Sequence, residues 1–157
     1  MDATTMPSTD SLIEKLRQDF PDFHFQASTD FEWDSSSKTI RYNPEDDSYE
    51  PRLLHELSHA VLAHNTYDKD IDLIALERDA WQHARMELAP RYDIRIDADT
   101  IQDDMDTYRD WLHARSTCPK CESSGLQIKK HTYRCVSCSA TWRVNEARVC
   151  ALRRYAN

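Results

Sequence analysis

The segment 53–64, LLHELSHAVLAH, carries the residues with the clearest chemistry in this chain. It contains the pattern His-Glu-x-x-His, formed by His55, Glu56 and His59, followed by a further histidine, His64. Residues four apart lie on the same face of a helix, so His55 and His59 can both reach one metal ion. Glu56 lies beside them, where its carboxylate can reach a water molecule on that ion. Metal-assisted hydrolysis requires this arrangement, with the carboxylate as general base.

The alternative interpretation of this segment is a surface helix that carries two histidines by chance. The residues around the motif argue against it, because they are apolar at helical spacing and predict a partly buried helix. These residues are Leu53, Leu54, Leu57, Ala60, Val61 and Leu62. Two histidines in such a place would be costly without partners, so the sequence favours a metal site.

His64 is not predicted to be the third protein ligand. If the helix continued to His64, that side chain would be rotated by about 140° from His59 at 100° per residue. The segment has no glycine that could turn the chain back. We therefore interpret His64 as the C-terminal residue of the helix, where a histidine interacts favourably with the helix dipole.

The next helical run, IDLIALERDAWQHARMEL, offers a better third ligand in Glu77. Leu73, Ala80, Ala84 and Leu88 form one apolar stripe at helical spacing, and Glu77 falls on that stripe. A carboxylate among core residues needs a partner, which a metal ion held by the preceding helix would provide. The predicted ligands are therefore two histidines and a glutamate, with a fourth position for water.

Several other polar residues have less certain roles in this predicted site. Asp79, on the polar side of the same run as Glu77, is the alternative third ligand. A hydrolytic site also needs a donor that stabilises the oxyanion of the tetrahedral intermediate. Tyr67, His83 and Tyr108 are candidates, and the sequence does not choose among them.

Four of the five cysteines predict a second metal site. Cys118 and Cys121 form one Cys-x-x-Cys pair, and Cys135 and Cys138 form another, with thirteen residues between the pairs. This spacing is typical of a structural zinc ion held by four thiolates, and a disulfide or redox pair is the alternative. Because so short a segment buries little surface, the metal would supply its folding free energy. Cys150 is predicted to be a small buried residue of a final helix.

The elements that must position these residues follow from the apolar periodicity. Helices are predicted over residues 8–19, 51–62, 71–88 and 97–115, with a short basic helix over 145–156. The segments FHFQAS, FEWD and KTIRYNP alternate between apolar and polar residues, which predicts three half-buried strands in a small antiparallel sheet.

Charge is distributed unevenly along the chain. The net charge is −8, yet residues 113–157 contain nine Lys/Arg and two Asp/Glu, which gives +7 there and −15 elsewhere. This basic segment, with Tyr133 and Trp142 among its cations, could bind nucleic acid by phosphate contacts and base stacking. It could equally dock on an acidic protein surface. The N-terminus lacks a signal-peptide pattern and the cysteines suit a reducing compartment, so we expect a cytoplasmic protein without a membrane span.

The run LLHELSHAVLAH followed by ERDAWQHA resembles the ImmA/IrrE-type family of zinc metallopeptidases. That family has His-Glu-x-x-His on one helix and the glutamate of Glu-x-x-Ala on the next, and KTIRYNPEDD is similar to its edge strand. The resemblance covers about residues 39–88 and implies a gluzincin-like fold. It also implies zinc bound by His55, His59 and Glu77, Glu56 as general base, and substrate peptide added along the edge strand at 38–42.

Two positions depart from that family's pattern. Ser58 stands where the family often has glycine, and Trp81 stands where it commonly has asparagine or aspartate. A protease helix pair followed by a zinc ribbon is also similar to SprT-like proteins, which are DNA-associated metalloproteases. SprT-like proteins use a third histidine further along the chain, and no later histidine here lies in a comparable segment.

The sequence thus predicts an α+β protein with two domains. A zincin-like metallopeptidase domain at 1–112 would pack its small antiparallel sheet on the active-site helices, and a zinc ribbon would follow at 113–157. The predicted function is hydrolysis of a protein or peptide substrate, for which a regulatory protein is one candidate, with one catalytic and one structural zinc ion. The alternatives are a DNA-associated protease recruited by its ribbon and a non-enzymatic zinc-binding interaction protein.

Overall fold

The computed structural model describes residues 9–145 and 152–156. The chain forms two compact units that alternate along the sequence. The first unit comprises Met1–Asn65 and Asp79–Asp97, and the second comprises Thr66–Arg78 and Ala98–Asn157. The division into domains at 1–112 and 113–157 stays a prediction about which parts fold independently.

Helices and small sheets are mixed along the chain, as the α+β prediction requires. The helices are α1 (Thr9–Asp19), α2 (Tyr49–Val61), α3 (Asp70–His83), α4 (Ala89–Arg91) and α5 (Ala98–Ser116). The strands are β1 (His24–Ala27), β2 (Glu32–Asp34), β3 (Thr39–Tyr42), β4 (Gly125–Lys129), β5 (Thr132–Cys135), β6 (Thr141–Val144) and β7 (Arg154–Ala156). Among the described residues, none of the helices is both long and apolar enough to cross a lipid bilayer.

The first unit contains a three-stranded sheet in the order β1-β3-β2. β2 pairs antiparallel with β3, but β1 pairs parallel with it, so the prediction of an antiparallel sheet is wrong for this pair. β3 is the central strand, which corrects the expectation of an edge strand at 38–42. Both of its edges are already hydrogen-bonded, so a substrate peptide cannot extend the sheet there. Burial explains this position, because Thr39, Ile40 and Tyr42 are all enclosed.

Helix α2, which carries the histidine motif, packs on strands β2 and β3 of this sheet. Leu53, Leu54 and Leu57 are fully buried on its inner face. At about 25 cal/mol per Å² of apolar surface, each such leucine contributes roughly 1.5–3 kcal/mol by burial. The histidine motif is therefore carried by a helix whose orientation is fixed by core packing.

The helical run predicted over 71–88 changes its winding near the end. α3 stops at His83 and continues as a π-helical turn, Ala84–Leu88, before the short helix α4. Ala84 and Leu88 of this turn are buried. Pro90 has no N–H to donate to the carbonyl of Met86, so a regular α-helical hydrogen bond is absent there. Such π-helical turns occur frequently at functional sites.

The second unit contains an antiparallel sheet in the order β4-β5-β6-β7. Its core consists of Cys118, Tyr133, Cys135, Trp142 and Val144, with Leu112, Ala140 and Leu152 packed against it. Gly125 is the only glycine of the chain. A Cβ atom at this position would overlap the Trp142 ring, which explains why glycine is required there.

The predicted basic helix over 145–156 is corrected at its end. Arg154–Ala156 form β7 and pair with β6, with Arg143 opposite Tyr155. The antiparallel ladder supplies hydrogen bonds to this segment, and this tertiary pairing overrides the helical propensity of its arginine and alanine residues. Residues 146–151, including the predicted buried Cys150, lie outside the described residues, as does Ser8 of the first predicted helix.

Candidate metal centres

The first candidate metal centre lies on α2 and combines His55, Glu56 and His59. One ligand-type atom from each of the three side chains lies within 4.8 Å of the others. His55 and His59 are buried, and the Glu56 side chain is 14 % exposed. The imidazole rings of the two histidines are 4.7 Å apart between centroids. The helical spacing therefore brings these three groups together as the sequence predicts.

His55 is held between the side chains of Glu56 and Trp81. Its Nδ1 lies 3.1 Å from Glu56 Oε2, and the Trp81 ring stacks on its imidazole at 4.1 Å with an interplanar angle of 6°. Trp81 is almost completely buried. The indole at this position therefore restrains the His55 ring by stacking, where a polar residue would restrain it by hydrogen bonding.

Ser58 connects α2 to His83. Its Oγ donates a hydrogen bond to the Leu54 carbonyl at 2.8 Å and lies 3.1 Å from His83 Nδ1. Because the Ser58 proton is directed at Leu54, Ser58 Oγ accepts the proton of His83 Nδ1. A glycine at position 58 could not make this contact. The serine therefore links α2, which carries the histidine motif, to the end of α3.

This contact also bears on His83 as a candidate oxyanion donor. Burial lowers the pKa of His83, while Glu87 opposes this shift and Arg91 adds to it. A neutral imidazole carries one proton, and here that proton is on Nδ1 and directed at Ser58. His83 Nε2 is then an acceptor near neutral pH and cannot stabilise an oxyanion. Tyr67 and Tyr108, in the second unit, stay candidates for that role.

The structure contradicts the prediction that His64 points away from the metal site. α2 ends at Val61, and Ala63 turns the chain with a left-handed φ of 58°. The N–H groups of Ala63 and His64 bond to the carbonyls of Ala60 and His59 at 3.1 and 2.9 Å, which closes a Schellman-type turn. Alanine usually avoids this conformation, which costs roughly 1–2 kcal/mol. The turn brings His64 Nδ1 to 2.9 Å from His59 Nδ1.

A shallow groove of about 490 Å³ lies beside this histidine cluster within the first unit. His64, Asp79, His83, Met86 and Glu87 are among the residues that line it. Met86 is 64 % exposed and supplies apolar surface, while the two carboxylates make the groove acidic. The groove therefore offers a peptide both apolar contact and negative charge.

The predicted third ligand, Glu77, is buried and belongs to the second unit. Its assignment to the catalytic metal stays a prediction. Asp79 belongs to the first unit, is exposed, and lies on the polar side of α3, as its position in the apolar pattern predicts.

The second candidate metal centre is formed by the four paired cysteines. Sγ atoms of Cys118, Cys121, Cys135 and Cys138 all lie within 4.8 Å of one another. The Cys118–Cys138 and Cys121–Cys135 pairs are 3.8 and 3.4 Å apart, much longer than a disulfide bond of about 2.05 Å. Thiolates arranged tetrahedrally around Zn²⁺ at about 2.3 Å are about 3.8 Å apart. The cluster could therefore hold one metal ion.

The two Cys-x-x-Cys turns have matching backbone geometry. Cys118 Sγ accepts the N–H groups of Lys120 and Cys121, and Cys135 Sγ accepts those of Ser137 and Cys138, all within 3.3–3.5 Å. The residue after each pair has a left-handed backbone, with φ of 65° at Glu122 and 64° at Ser139. Backbone hydrogen bonds from Ser123, and then its side chain, lower the pKa of Cys121 to about 6. At Cys121 this favours the thiolate, which is the form that binds metal. At Cys138 a backbone hydrogen bond from Ala140 is outweighed by burial and the neighbouring cysteines, which raise the pKa of Cys138 to about 11.

Two aromatic residues of the basic segment are not available to stack on bases. Tyr133 and Trp142 are buried in the core of the second unit, where their rings stack on each other at 5.8 Å. The cationic side chains that remain exposed around them include Lys129, Lys130 and Arg143. Binding of nucleic acid would therefore depend on phosphate contacts rather than on these two rings.

A buried ion pair that the sequence does not reveal organises the second unit. Arg115 Nε donates to Asp70 Oδ2 at 2.8 Å, and the two residues are 1 % and 2 % exposed. Tyr133 donates to the same oxygen at 2.5 Å, and Trp142 Nε1 donates to the Arg115 carbonyl at 2.9 Å. Arg115 also bonds to the Asn145 carbonyl. Burial raises the pKa of Tyr133, and its hydrogen bond to Asp70 raises this pKa further. The Tyr133 hydroxyl group therefore keeps the proton that it donates to Asp70. The network joins the start of α3 to the end of α5 and to the sheet.

Replacing Arg115 with methionine should destabilise the protein by about 3–5 kcal/mol, because the Asp70 carboxyl group would be left buried without its partner. Unfolding in urea measures this change. Arg109→Met on the same helix is the matched control, because Arg109 and Asp106 form an exposed ion pair. That pair should contribute less than about 1 kcal/mol. Equal effects of the two substitutions would contradict the special role of the buried pair.

Comparison of the chain with protein-family models, curated proteins and solved structures gives no match. The resemblance to ImmA/IrrE-type peptidases therefore rests on the two motifs alone. The geometry of the two candidate metal centres is the remaining basis for a functional proposal.

Proposed function

We propose that the protein is a zinc-dependent peptidase in which His55 and His59 bind the catalytic ion and Glu56 is the general base. The observation that carries this proposal is the cluster of the three side chains within 4.8 Å on one helix anchored in the core. Two buried histidines with a carboxylate beside them are a donor set that suits Zn²⁺. The four cysteines would hold a second, structural zinc ion.

Each residue of the proposed site has a distinct task. A zinc ion bound there would polarise the peptide carbonyl and lower the pKa of its water to about 7. Glu56 takes the proton of the attacking water on its carboxylate and transfers it to the nitrogen of the leaving amine. Trp81 keeps the His55 ring in one orientation. The side chains of His55, Glu56 and His59 are little exposed, which limits competition from solvent water.

The groove that His64 and His83 help to line supports a peptide as the substrate, since His64 contacts His59. Its volume of about 490 Å³ and its open, partly apolar lining suit an extended chain segment with one or two side chains. Asp79 and Glu87 favour cationic over anionic side chains in this segment. Glu77 remains the proposed third ligand, with Asp79 as its alternative.

Metal analysis tests the ligand assignment. Purified protein should contain about two zinc ions per chain, and His59→Ala should contain about one, because a tetrahedral site that loses an imidazole binds zinc far more weakly. His24→Ala, which replaces an exposed histidine of β1, is the control and should retain both ions. A zinc content that His59→Ala leaves unchanged would exclude the proposed catalytic centre.

The same measurement decides between the two carboxylates. Glu77→Ala should lower the zinc content to about one ion per chain if Glu77 is the third ligand, since three protein ligands are usual at catalytic zinc. Asp79→Ala should then have no effect on the zinc content. The reverse pattern would move the third ligand to Asp79.

A further inference from the structure

The position of His64 gives this residue a role that its place in the sequence does not. We propose that His64 is a positioning residue for the metal ligand His59, whose ring it fixes by accepting a hydrogen bond from His59 Nδ1. This inference rests on the proposed metal-binding role of His59. It assigns His64 to the support of the metal centre rather than to the metal itself.

The hydrogen bond between the two rings defines the tautomer of each histidine. Their Nδ1 atoms are 2.9 Å apart, so one proton lies between them. If His59 binds the metal through Nε2, its own proton must be on Nδ1, and His64 Nδ1 is the acceptor. The proton of His64 is then on Nε2. This bond restrains the rotation of the His59 ring and makes its Nε2 a stronger donor to a metal.

The backbone of His64 is held independently of its ring. Trp33 Nε1 donates to the His64 carbonyl at 2.9 Å from strand β2. The Trp33 ring is itself fixed by an edge contact with Phe23 at 5.5 Å. The left-handed turn at Ala63 and this bond together determine where His64 lies. The turn at Ala63, the hydrogen bond from Trp33 and the ring contact between Trp33 and Phe23 thus all help to hold His64 against His59. Such support is expected where a metal ligand must be held in a precise position.

A direct ligand role for His64 is less consistent with this geometry. His64 presents Nδ1 to the Nδ1 of His59, and both nitrogens would have to lose that hydrogen bond to bind the metal through these atoms. Binding through Nε2 of His59 keeps the contact intact. It also matches the usual arrangement in which the second nitrogen of a ligating histidine is hydrogen-bonded within the protein.

Zinc affinity in the full-length protein tests this role, measured by competition with a chelator. His64→Ala should retain about two ions per chain at saturation but weaken binding at the histidine site by about 10–100-fold. His64→Asn, whose side-chain oxygen can accept the same hydrogen bond, should recover part of the affinity. With Co²⁺ at the site, His64→Ala should change the visible absorption spectrum, whereas the exposed-residue control His24→Ala should not.

A second variant covers the case in which His64→Ala does not fold. Trp33→Phe removes the donor to the His64 carbonyl but leaves both histidines, and it should weaken zinc binding in the same direction by a smaller factor. Unchanged affinity in either folded variant would overturn the proposal. A zinc content of about one ion in His64→Ala would overturn it too, by making His64 a ligand. Two retained ions in His59→Ala would instead refute the proposed catalytic centre itself.

Discussion

Glu56→Gln should abolish peptide hydrolysis while leaving both zinc ions bound. The amide cannot accept a proton from the attacking water, and loss of a general base typically lowers the rate by about 10²–10⁴-fold. Incubation of a protein extract with the purified protein, followed by mass spectrometric mapping of new N-termini, measures the effect without knowledge of the natural substrate. New N-termini should appear with the wild-type protein and not with Glu56→Gln.

The matched control for this prediction is Glu50→Gln, the same change in the first turn of the same helix. It removes a favourable interaction with the helix dipole, worth about 0.3–1 kcal/mol, and should leave hydrolysis unchanged. Cleavage that persists in Glu56→Gln would exclude Glu56 as the base. Loss of zinc from Glu56→Gln would show that the carboxylate supports metal binding rather than proton transfer.

Replacement of Cys118 and Cys135 by serine should unfold the second unit. Zinc contributes about 10–16 kcal/mol in small zinc-binding peptides, which is comparable to the whole stability of a typical native domain, about 5–15 kcal/mol. Both sulfurs are buried in the core of this unit together with Tyr133 and Trp142. The double substitution would therefore remove the metal and disturb the packing at the same point.

Zinc content and limited proteolysis of the full chain measure this outcome. The double variant should lose the zinc ion of the four-cysteine cluster and become sensitive to cleavage within the four-stranded sheet. Cys150→Ser is the control, because it changes the cysteine that belongs to neither Cys-x-x-Cys pair. A variant that resists proteolysis like the wild type would show that the cluster is not needed for folding of this unit.

The local parts of both centres are predictable from the sequence because their spacing is short. Hydrogen bonds of an α-helix connect residues four apart, so His55 and His59 share a face wherever the helix packs. Each Cys-x-x-Cys pair likewise lies within one short turn. Two such pairs at this spacing predict a four-cysteine cluster. The bounds of the four helices predicted before residue 116 also agree within a few residues, apart from the π-helical turn that begins at Ala84, whereas the segment predicted as a basic helix over 145–156 ends in strand β7.

The errors lie where distant residues decide the structure. The parallel pairing of β1 with β3 depends on which edge of each strand is covered in the folded sheet. The alternation of apolar and polar residues does not specify this. Likewise, the buried pair of Asp70 and Arg115 joins residues 45 positions apart. Charged residues are usually exposed, so the sequence gives no reason to expect either of them in the core.

His64 shows the difference between what local spacing predicts and what distant contacts determine. That His55, Glu56 and His59 share a helix, and that four cysteines can surround one ion, follows from the spacing of these residues along the chain. That the chain turns back at Ala63 follows from tertiary contacts, since a left-handed alanine is unfavourable on local grounds. The Schellman-type turn and the hydrogen bond from Trp33, 31 residues away, compensate for that local cost. Contacts from another element therefore place His64 beside His59.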